Sequence, residues 1–152
     1  LGVELAKKFK GYVPIIYSSR RNLAVTYNWK IKFNETGKIP AFYNILPELN
    51  HNEMTGFDVT SATRGLSKKF KFLFLSDSDD NDRIITRMEV LQKLYEDRKL
   101  PVEVVTMTGD SRLEKIFTSC ILADWTAFYT SELYGTESTE VPMVEEFKKI
   151  IS

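Results

Sequence analysis

Three short runs of mostly apolar residues constrain the fold of this chain more than any other feature. They read YVPIIYS from Tyr12, FKFLFLS from Phe70 and PVEVVTM from Pro101. A strand that buries one face alternates apolar and polar residues, whereas a strand covered on both faces is apolar almost throughout. Segments with helical spacing separate the runs, so strands alternate with helices. The pattern predicts an α/β fold, a three-layer αβα sandwich with a mainly parallel sheet.

The helical segments can be placed from their spacing and their end signals. The acid-rich stretch SDSDDND precedes a segment with Ile84 and Leu91 at helical spacing, and we interpret it as helix capping and a source of solubility. A long, largely apolar helix is predicted from about Arg112 to Tyr134. Pro142 is expected to open a terminal amphipathic helix, and GVELAKKFK to form a first helix that ends near Gly11. The aromatic residues of the long helix are expected in the core rather than at an interface: Trp125, Phe128 and Tyr129.

Two segments resist a simple assignment. LAVTYNWKIKF alternates apolar and polar residues, which favours a strand, but Ala24, Tyr27 and Ile31 also lie along one side of a helix. On local pattern alone, both alternatives stay open. Pro40 and Pro47 interrupt the next apolar segment, so we predict no more than a short helix between them.

Charge and composition exclude several classes of partner and site. The 152 residues carry 21 basic and 21 acidic side chains, so the formal net charge is zero. No clustered positive surface is therefore predicted for nucleic acid or for an anionic membrane. No apolar run is long enough to span a bilayer and no signal peptide is visible, which predicts a cytoplasmic protein. One histidine and one cysteine argue against a zinc site and exclude an internal disulfide, and Cys120 is expected to be a buried core thiol.

The loops after the first and central strands are candidate sites, because open parallel sheets bind ligands beyond the carboxyl ends of their strands. Ser18, Ser19 and Arg20 could hold an anion, and a plain helix cap is an equal alternative. The acidic loop after the central strand would repel a phosphate. The sequence contains neither a glycine-rich dinucleotide loop nor a Walker loop.

Two other polar segments carry the residue types that acid–base chemistry needs. FNETGK holds Glu35, and ELNHNE holds the single histidine, His51. A partly buried carboxylate can take a proton from carbon, and an imidazole exchanges protons near neutral pH. Taken singly, the two residues have plainer explanations, a surface carboxylate and a core histidine bonded to a carbonyl. Their combination favours an acid–base site, in which Asn34, Asn50 and Asn52 orient the two groups or bind sugar hydroxyls.

The block NETGK-IPAFYNILPELNHNE resembles a signature of the bifunctional phosphoglucose/phosphomannose isomerases, which belong to the sugar isomerase (SIS) superfamily. Their second SIS domain carries Asn-Glu-Asn-x-Lys, then Ala, then Pro-Glu-Leu-x-His-Asn-Glu. Thr36 departs from this signature, since the family usually has Asn there. The residues that match it are Asn34, Glu35, Lys38, Ala41, Pro47, Glu48, Leu49, His51, Asn52 and Glu53. VPIIYSS upstream and VPMVEEFKK at the end are also similar, so the resemblance covers nearly the whole chain.

The resemblance implies a fold, a reaction and a role for each matching residue. It implies an SIS-type, flavodoxin-like domain over residues 1–152, with a helix before Glu35. The implied reaction converts glucose 6-phosphate or mannose 6-phosphate to fructose 6-phosphate through a cis-enediol, without a metal or organic cofactor. Glu35 is the implied base, His51 opens the sugar ring, and Lys148 is the closing lysine, with Lys149 as its alternative. The implied substrate contacts are Asn34, Lys38, Asn52 and Glu53.

The resemblance further implies that the chain is the C-terminal half of a two-domain enzyme. The Ser/Thr-rich phosphate loop of the family's N-terminal SIS domain is missing here, and the chain opens on Leu1 within a helical pattern. A homodimer with sites at its interface is implied, in which His51 can act in its own or the neighbouring site. A non-catalytic sugar-phosphate-binding SIS module is the rival interpretation, and a structural half-domain is a third. Glu35 with His51 discriminates between them, because a sensor needs no carbon base.

Overall fold

The apolar runs form parallel strands of one sheet. The computed structural model describes residues 1–152. Its strands are β1 (Val13–Ser19), β2 (Phe42–Leu46), β3 (Phe70–Ser76) and β4 (Val102–Thr106). They lie in the order β2-β1-β3-β4, and all three pairings are parallel. The predicted parallel sheet is therefore confirmed, with the two longest strands, β1 and β3, at its centre.

Seven α-helices accompany the sheet. They are α1 (Gly2–Phe9), α2 (Leu23–Glu35), α3 (Glu53–Gly56), α4 (Arg64–Ser67), α5 (Asp82–Asp97), α6 (Arg112–Tyr134) and α7 (Pro142–Ile151). Short 3-10 turns at Arg20–Asn22 and Glu48–Asn50 follow β1 and β2. The predicted long helix and terminal helix are confirmed as α6 and α7. No helix combines the length and the apolar character that a membrane crossing requires.

Two apolar clusters fill the two faces of the sheet. On one face, α1, α2 and α6 pack around Phe9 and Trp29. On the other face, α5 and the segment after β2 pack around Tyr17 and Tyr95. Helices thus cover both faces, and the three-layer αβα sandwich is confirmed.

The ambiguous segment is the helix α2, as the resemblance implies and against its local alternation. Val25, Trp29 and Phe33 are spaced four residues apart, and all three are buried. They form the stripe of α2 that packs into the core. Leu23 and Tyr27 complete the alternating pattern in the sequence, but both are exposed. The helical period therefore decides which apolar residues of this segment enter the core.

The strand β2 shows that the prediction of at most a short helix between Pro40 and Pro47 is wrong. The two prolines lie outside the strand, where a missing N–H removes no hydrogen bond from the ladder. β2 is an edge strand, and its Phe42 and Tyr43 side chains are exposed. β4 is the other edge strand and its valines still predict it, so the flanking prolines rather than the edge position hide β2 in the sequence.

The outward face of α6 corrects two expectations about the core. Trp125 is 53% exposed and stacks on Tyr129, with ring centroids 5.9 Å apart. The core position expected for Trp125 is wrong, because small residues such as Ala123 and Ala127 form the inward face of α6. Cys120 on the same helix is only half-buried rather than a core thiol, although this burial still raises the pKa of its thiol.

Candidate functional site

The predicted site residues fall into two groups at opposite edges of the sheet. β1 and β2 are parallel, and their last residues, Ser19 and Leu46, pair at what we call the carboxyl edge. The helix α2 starts at that edge and returns to the opposite one, the amino edge, where Glu35 ends it. His51 follows β2 and lies at the carboxyl edge. The five residues of β2 separate the two groups by roughly 15 Å, so one chain cannot place both on neighbouring atoms of one sugar.

At the amino edge, hydrogen bonds fix the backbone around Glu35 and leave its carboxylate free. Lys38 Nζ donates to the carbonyl oxygen of Glu35 at 2.6 Å and also to the carbonyl oxygen of Glu140. Asn34 Nδ2 donates to the carbonyl oxygen of Ile39 at 3.0 Å. The Glu35 side chain is exposed. Its carboxylate can therefore meet a ligand from outside the chain while its helix end stays in place.

The turn after α2 requires a glycine at position 37. Gly37 N–H donates to the carbonyl oxygen of Lys32 at 3.0 Å. A Cβ at this position would lie 2.8 Å from the carbonyl oxygen of Phe33, closer than side chains approach. Lys38 follows with a φ of 57°, in the left-handed region. This tight reversal holds the end of α2, and with it Glu35, at the surface.

Lys148 lies on α7, and the root of that helix is held at the amino edge. The carbonyl that Lys38 binds belongs to Glu140, two residues before α7 begins. Every residue of α7 is exposed. Lys148 pairs with Glu145 on its own helix at 2.7 Å, and Lys149 beside it is also exposed. The structure brings the start of α7 close to the end of α2, and it shows no hydrogen bond or ion pair between these two lysines and that end.

At the carboxyl edge, His51 is exposed on the turn that follows β2. Its N–H donates to the carbonyl oxygen of Glu48 at 3.0 Å, but its imidazole forms no hydrogen bond, so a core histidine held by a carbonyl is excluded. Leu49 beside it is fully buried. Asn52 caps α3, because its Oδ1 accepts from Glu53 N–H at 2.6 Å and its Nδ2 donates to Glu48 Oε1 at 3.0 Å. The substrate contact of Asn52 stays a prediction.

Glu53 turns inward, toward the strands. Tyr17 OH donates to Glu53 Oε1 at 2.5 Å, and Asn44 Nδ2 donates to Oε2. Burial raises the pKa of the Tyr17 hydroxyl, which keeps it protonated as a donor. The hydroxyl of Tyr95 lies 3.5 Å from that of Tyr17, and burial raises the pKa of Tyr95 to about 12. Both oxygens of Glu53 are thus engaged inside the protein, and its substrate contact stays a prediction.

A buried ionic network closes the carboxyl ends of β1 and β3, where open parallel sheets bind ligands. Asp77 is 1% exposed and accepts from Lys115 Nζ at 2.9 Å. Arg112 pairs with the same carboxylate at 3.1 Å, and Asn22 Nδ2 donates to it at 3.1 Å. The edge is therefore filled by charges of the chain itself.

This network overturns the sequence-based interpretation of two loops. Asp77 and Asp80 are buried, so capping and solubility do not account for them, although Asn81 does cap α5. Ser18 and Ser19 are buried as well, and the Ser19 side chain donates to Asp80 Oδ1 at 2.7 Å rather than capping the turn that follows. Neither serine is open to an external anion.

We expect Asp77→Ala to lower the free energy of unfolding by about 3 kcal/mol, because it removes the buried counter-charge that Lys115 and Arg112 share and leaves Lys115 paired only with the half-exposed Asp79. Burial raises the pKa of Asp77, but hydrogen bonds from Lys115 and Asn22 outweigh it and hold that pKa below its ordinary value. The stabilisation is therefore present above about pH 4 and is lost as the pH falls further. Urea denaturation at several pH values should show that the free energies of unfolding of Asp77→Ala and the wild type approach each other toward about pH 3.

Asp79→Ala is the matched control for this prediction. Asp79 pairs with the same lysine at 2.9 Å, but its side chain is 46% exposed. Its removal should cost less than about 1 kcal/mol, since exposed ion pairs contribute little. Equal losses for Asp77→Ala and Asp79→Ala would contradict the argument from burial.

Neither cavities nor metal-ligand clusters point to a third candidate. A cavity of about 540 Å³ opens at the amino edge, beside Tyr12 and Pro101, and none of the predicted site residues lines it. No group of three or more His, Cys, Asp or Glu side chains is arranged to hold a metal ion.

The sequence analysis does not identify Tyr17 or Asn44, the two residues that hold Glu53. They are register partners on β1 and β2, so they lie at the same level of the sheet. The signal that would have found them is β2 itself. Once Phe42–Leu46 is recognised as a strand beside β1, Tyr17 and Asn44 can be placed side by side in the sheet, near the His51 turn.

Comparison with known proteins adds the family context. The family model for the bacterial phospho-glucose isomerase C-terminal SIS domain matches residues 2–151. A bifunctional phosphoglucose/phosphomannose isomerase of Aquifex aeolicus is 32% identical over 97% of this chain, and one of Thermoplasma volcanium is 32% identical over 93%. The matches cover 45% and 43% of these relatives, so the chain spans less than half of their length.

The likeness extends to solved structures. The crystal structure of a glucose-6-phosphate isomerase like protein from Thermus thermophilus matches with a TM-score of 0.70 at 19% identity. The match covers 92% of this chain and 45% of the Thermus thermophilus chain. At this identity the likeness bears on the fold alone, and together with the family match it confirms the SIS-type fold.

Proposed function

This chain belongs to the family of bacterial phosphoglucose isomerase C-terminal SIS domains, and on that premise we propose that it supplies the acid–base residues of an aldose–ketose isomerase. The proposed substrates are glucose 6-phosphate or mannose 6-phosphate on one side and fructose 6-phosphate on the other. One observation carries the proposal. The Glu35 carboxylate is exposed and unbonded, at a helix end that Lys38 holds in place.

Glu35 is the proposed base. It removes the proton from C2 of the open-chain aldose while O1 gains a proton, which gives a planar cis-enediol; the proton is then returned at C1 while O2 loses its proton, which gives the ketose. Glucose and mannose phosphates differ only at C2, so the enediol is common to both and one carboxylate serves both. A positioned base contributes about a hundredfold or more to the rate. The neighbouring carbonyl stabilises the developing carbanion, so the proposed chemistry needs no metal or organic cofactor.

His51 is the proposed ring-opening residue, acting on a sugar bound at another copy's Glu35. Because the two residues lie at opposite ends of β2, one copy cannot supply both to one sugar. In a dimer with a twofold axis, the same surface of both copies meets, and each contact occurs twice. We therefore propose two equivalent sites, each with Glu35 from one copy and His51 from the other.

The phosphate of the substrate is proposed to bind outside residues 1–152. The carboxyl edge of this sheet is closed by the pairing of Asp77 with Lys115, which leaves no open phosphate loop there. The relatives have more than twice the length of this chain, and we assign phosphate binding to that additional length. Lys148, or its neighbour Lys149, is proposed to approach the sugar from α7, whose root lies at the edge of Glu35.

Residues 1–152 alone should therefore interconvert fructose 6-phosphate and glucose 6-phosphate at least about a hundredfold more slowly than the complete polypeptide that carries them, because the substrate is no longer held in place. A coupled assay with glucose-6-phosphate dehydrogenase measures both proteins, and mannose 6-phosphate is tested in the same way. Full turnover by residues 1–152 alone would contradict the shared site.

A binding measurement beside this assay separates catalysis from the rival function, a non-catalytic sugar-phosphate-binding module. Binding of fructose 6-phosphate to the complete polypeptide can be followed by titration calorimetry. Tight binding without turnover of any of the three hexose phosphates would favour the rival and would leave Glu35 without a catalytic role.

A further inference from the structure

We infer that Glu53 is a positioning residue for His51: its carboxylate, clamped by Tyr17 and Asn44, fixes the turn that presents the imidazole at the carboxyl edge. The inference rests on the proposed function, because it assigns Glu53 to the proton-transfer step of His51. In this role Glu53 acts on the sugar through the histidine two residues before it.

The clamp is built into the sheet rather than onto a loop. Tyr17 is fully buried in β1, and its ring packs 5.5 Å from each of the Phe72 and Phe74 rings. Its hydroxyl donates to Glu53 Oε1 at 2.5 Å, while Asn44 on the neighbouring strand donates to Oε2. Both donors sit on neighbouring strands of the sheet, so Glu53 is tied to the sheet itself.

The backbone of the His51 turn is held on both sides of the histidine, and the N–H of His51 itself donates to the carbonyl oxygen of Glu48. Leu49, two residues before the histidine, is fully buried in the core. Glu53, two residues after it, is held by the clamp. The imidazole forms no hydrogen bond of its own, so the backbone between Leu49 and Glu53 sets its position. Groups that transfer protons must lie within hydrogen-bond reach, and a displacement of about 1 Å can cost about a hundredfold in rate.

Glu53→Gln disturbs the clamp with little change in size. A carboxylate accepts hydrogen bonds on both oxygens, whereas a carboxamide has one acceptor oxygen and an NH₂ that only donates. In Glu53→Gln that NH₂ faces either the Tyr17 hydroxyl or the Asn44 amide, both of which donate in the wild type. Tyr17→Phe removes one of the two donors and leaves the packed ring in place. Neither substitution touches the imidazole.

The test is steady-state kinetics of the complete polypeptide, at a temperature where circular dichroism shows each variant folded. Glu53→Gln should lower kcat for glucose 6-phosphate about tenfold and change KM less than about twofold, because proton transfer and not binding is impaired. Tyr17→Phe, which keeps the Asn44 bond, should lower kcat by a smaller factor of about three. Asp58→Asn, the same carboxylate-to-amide change at an exposed residue that bonds to Arg98, should leave kcat unchanged.

The decisive measurement adds Glu53→Gln to His51→Ala. If Glu53 acts through the histidine, its substitution should change kcat less than about twofold once the histidine is gone. An additive tenfold loss in that background would overturn the inference, and so would a wild-type kcat for folded Glu53→Gln. Should His51→Ala itself keep the wild-type kcat, the proposed role of His51 fails, and that result is distinct from a failure confined to Glu53.

Discussion

Glu35→Gln in the complete polypeptide should lower kcat for both glucose and mannose 6-phosphates by a factor of about a hundred to ten thousand. The amide keeps the size of the side chain but cannot accept a proton from carbon. The backbone around position 35 is held by Lys38 and Gly37, not by the carboxylate, so the fold and substrate binding should be retained. Both aldoses should be affected equally, because both react through the same enediol.

Solvent exchange gives the sharpest readout of this prediction. In deuterated water, fructose 6-phosphate should gain deuterium at C1 with the wild type and lose nearly all of that exchange with Glu35→Gln. Glu140→Gln is the matched control at the same edge, since its contact with Lys38 uses the backbone carbonyl and not the carboxylate. Exchange at the wild-type rate in Glu35→Gln would show that another group is the base.

Mixed dimers of Glu35→Gln and His51→Ala should regain activity that neither variant has alone. If each site takes its base from one copy and its histidine from the other, a mixed dimer holds one complete site and one that lacks both groups. With random pairing half of the dimers are mixed, so about a quarter of the wild-type activity should return. If the two variants are co-expressed with different affinity tags, the mixed dimers can be purified. They should show about half of the wild-type activity.

A second pairing controls for simple dilution or stabilisation. Glu35→Gln paired with the double variant Glu35→Gln/His51→Ala contains no wild-type base, so no activity should return. Each homodimer must be assayed where it is fully folded, so that a stability loss in His51→Ala is not mistaken for a catalytic one. Mixed dimers that stay as inactive as their parents would refute the arrangement with sites shared between copies.

The apolar runs predict three of the four strands. β1 and β3 lie at the centre of the sheet and are apolar almost throughout, whereas β4 is an edge strand whose valines still show the pattern. β2 is hidden in the sequence because Pro40 and Pro47 flank it and indicate breaks. The helix α2 came from the family resemblance, since its alternation indicates a strand. Only the packed core reveals that Leu23 and Tyr27 are the residues left outside.

The candidate site could also be predicted only in part from the sequence. The resemblance could point to Glu35 and His51 as the proposed reactive groups, because residue identity is what a sequence motif preserves. It could not place them at opposite edges, since that follows from the direction of β2. The pairing of Asp77 with Lys115 joins residues 38 positions apart, and no local pattern links a loop after one strand to a lysine on a later helix. Polar contacts of this kind become visible only when the fold is known.

Lys38 does more in this structure than the substrate contact that its place in the motif implies. One ammonium group joins the last carbonyl of α2 to the carbonyl of Glu140, just before α7. The terminal helix, all of whose residues are exposed, therefore starts from a backbone position that is fixed beside the end of α2. The proposed base and the two lysines of α7 thus belong to elements that one ammonium group joins.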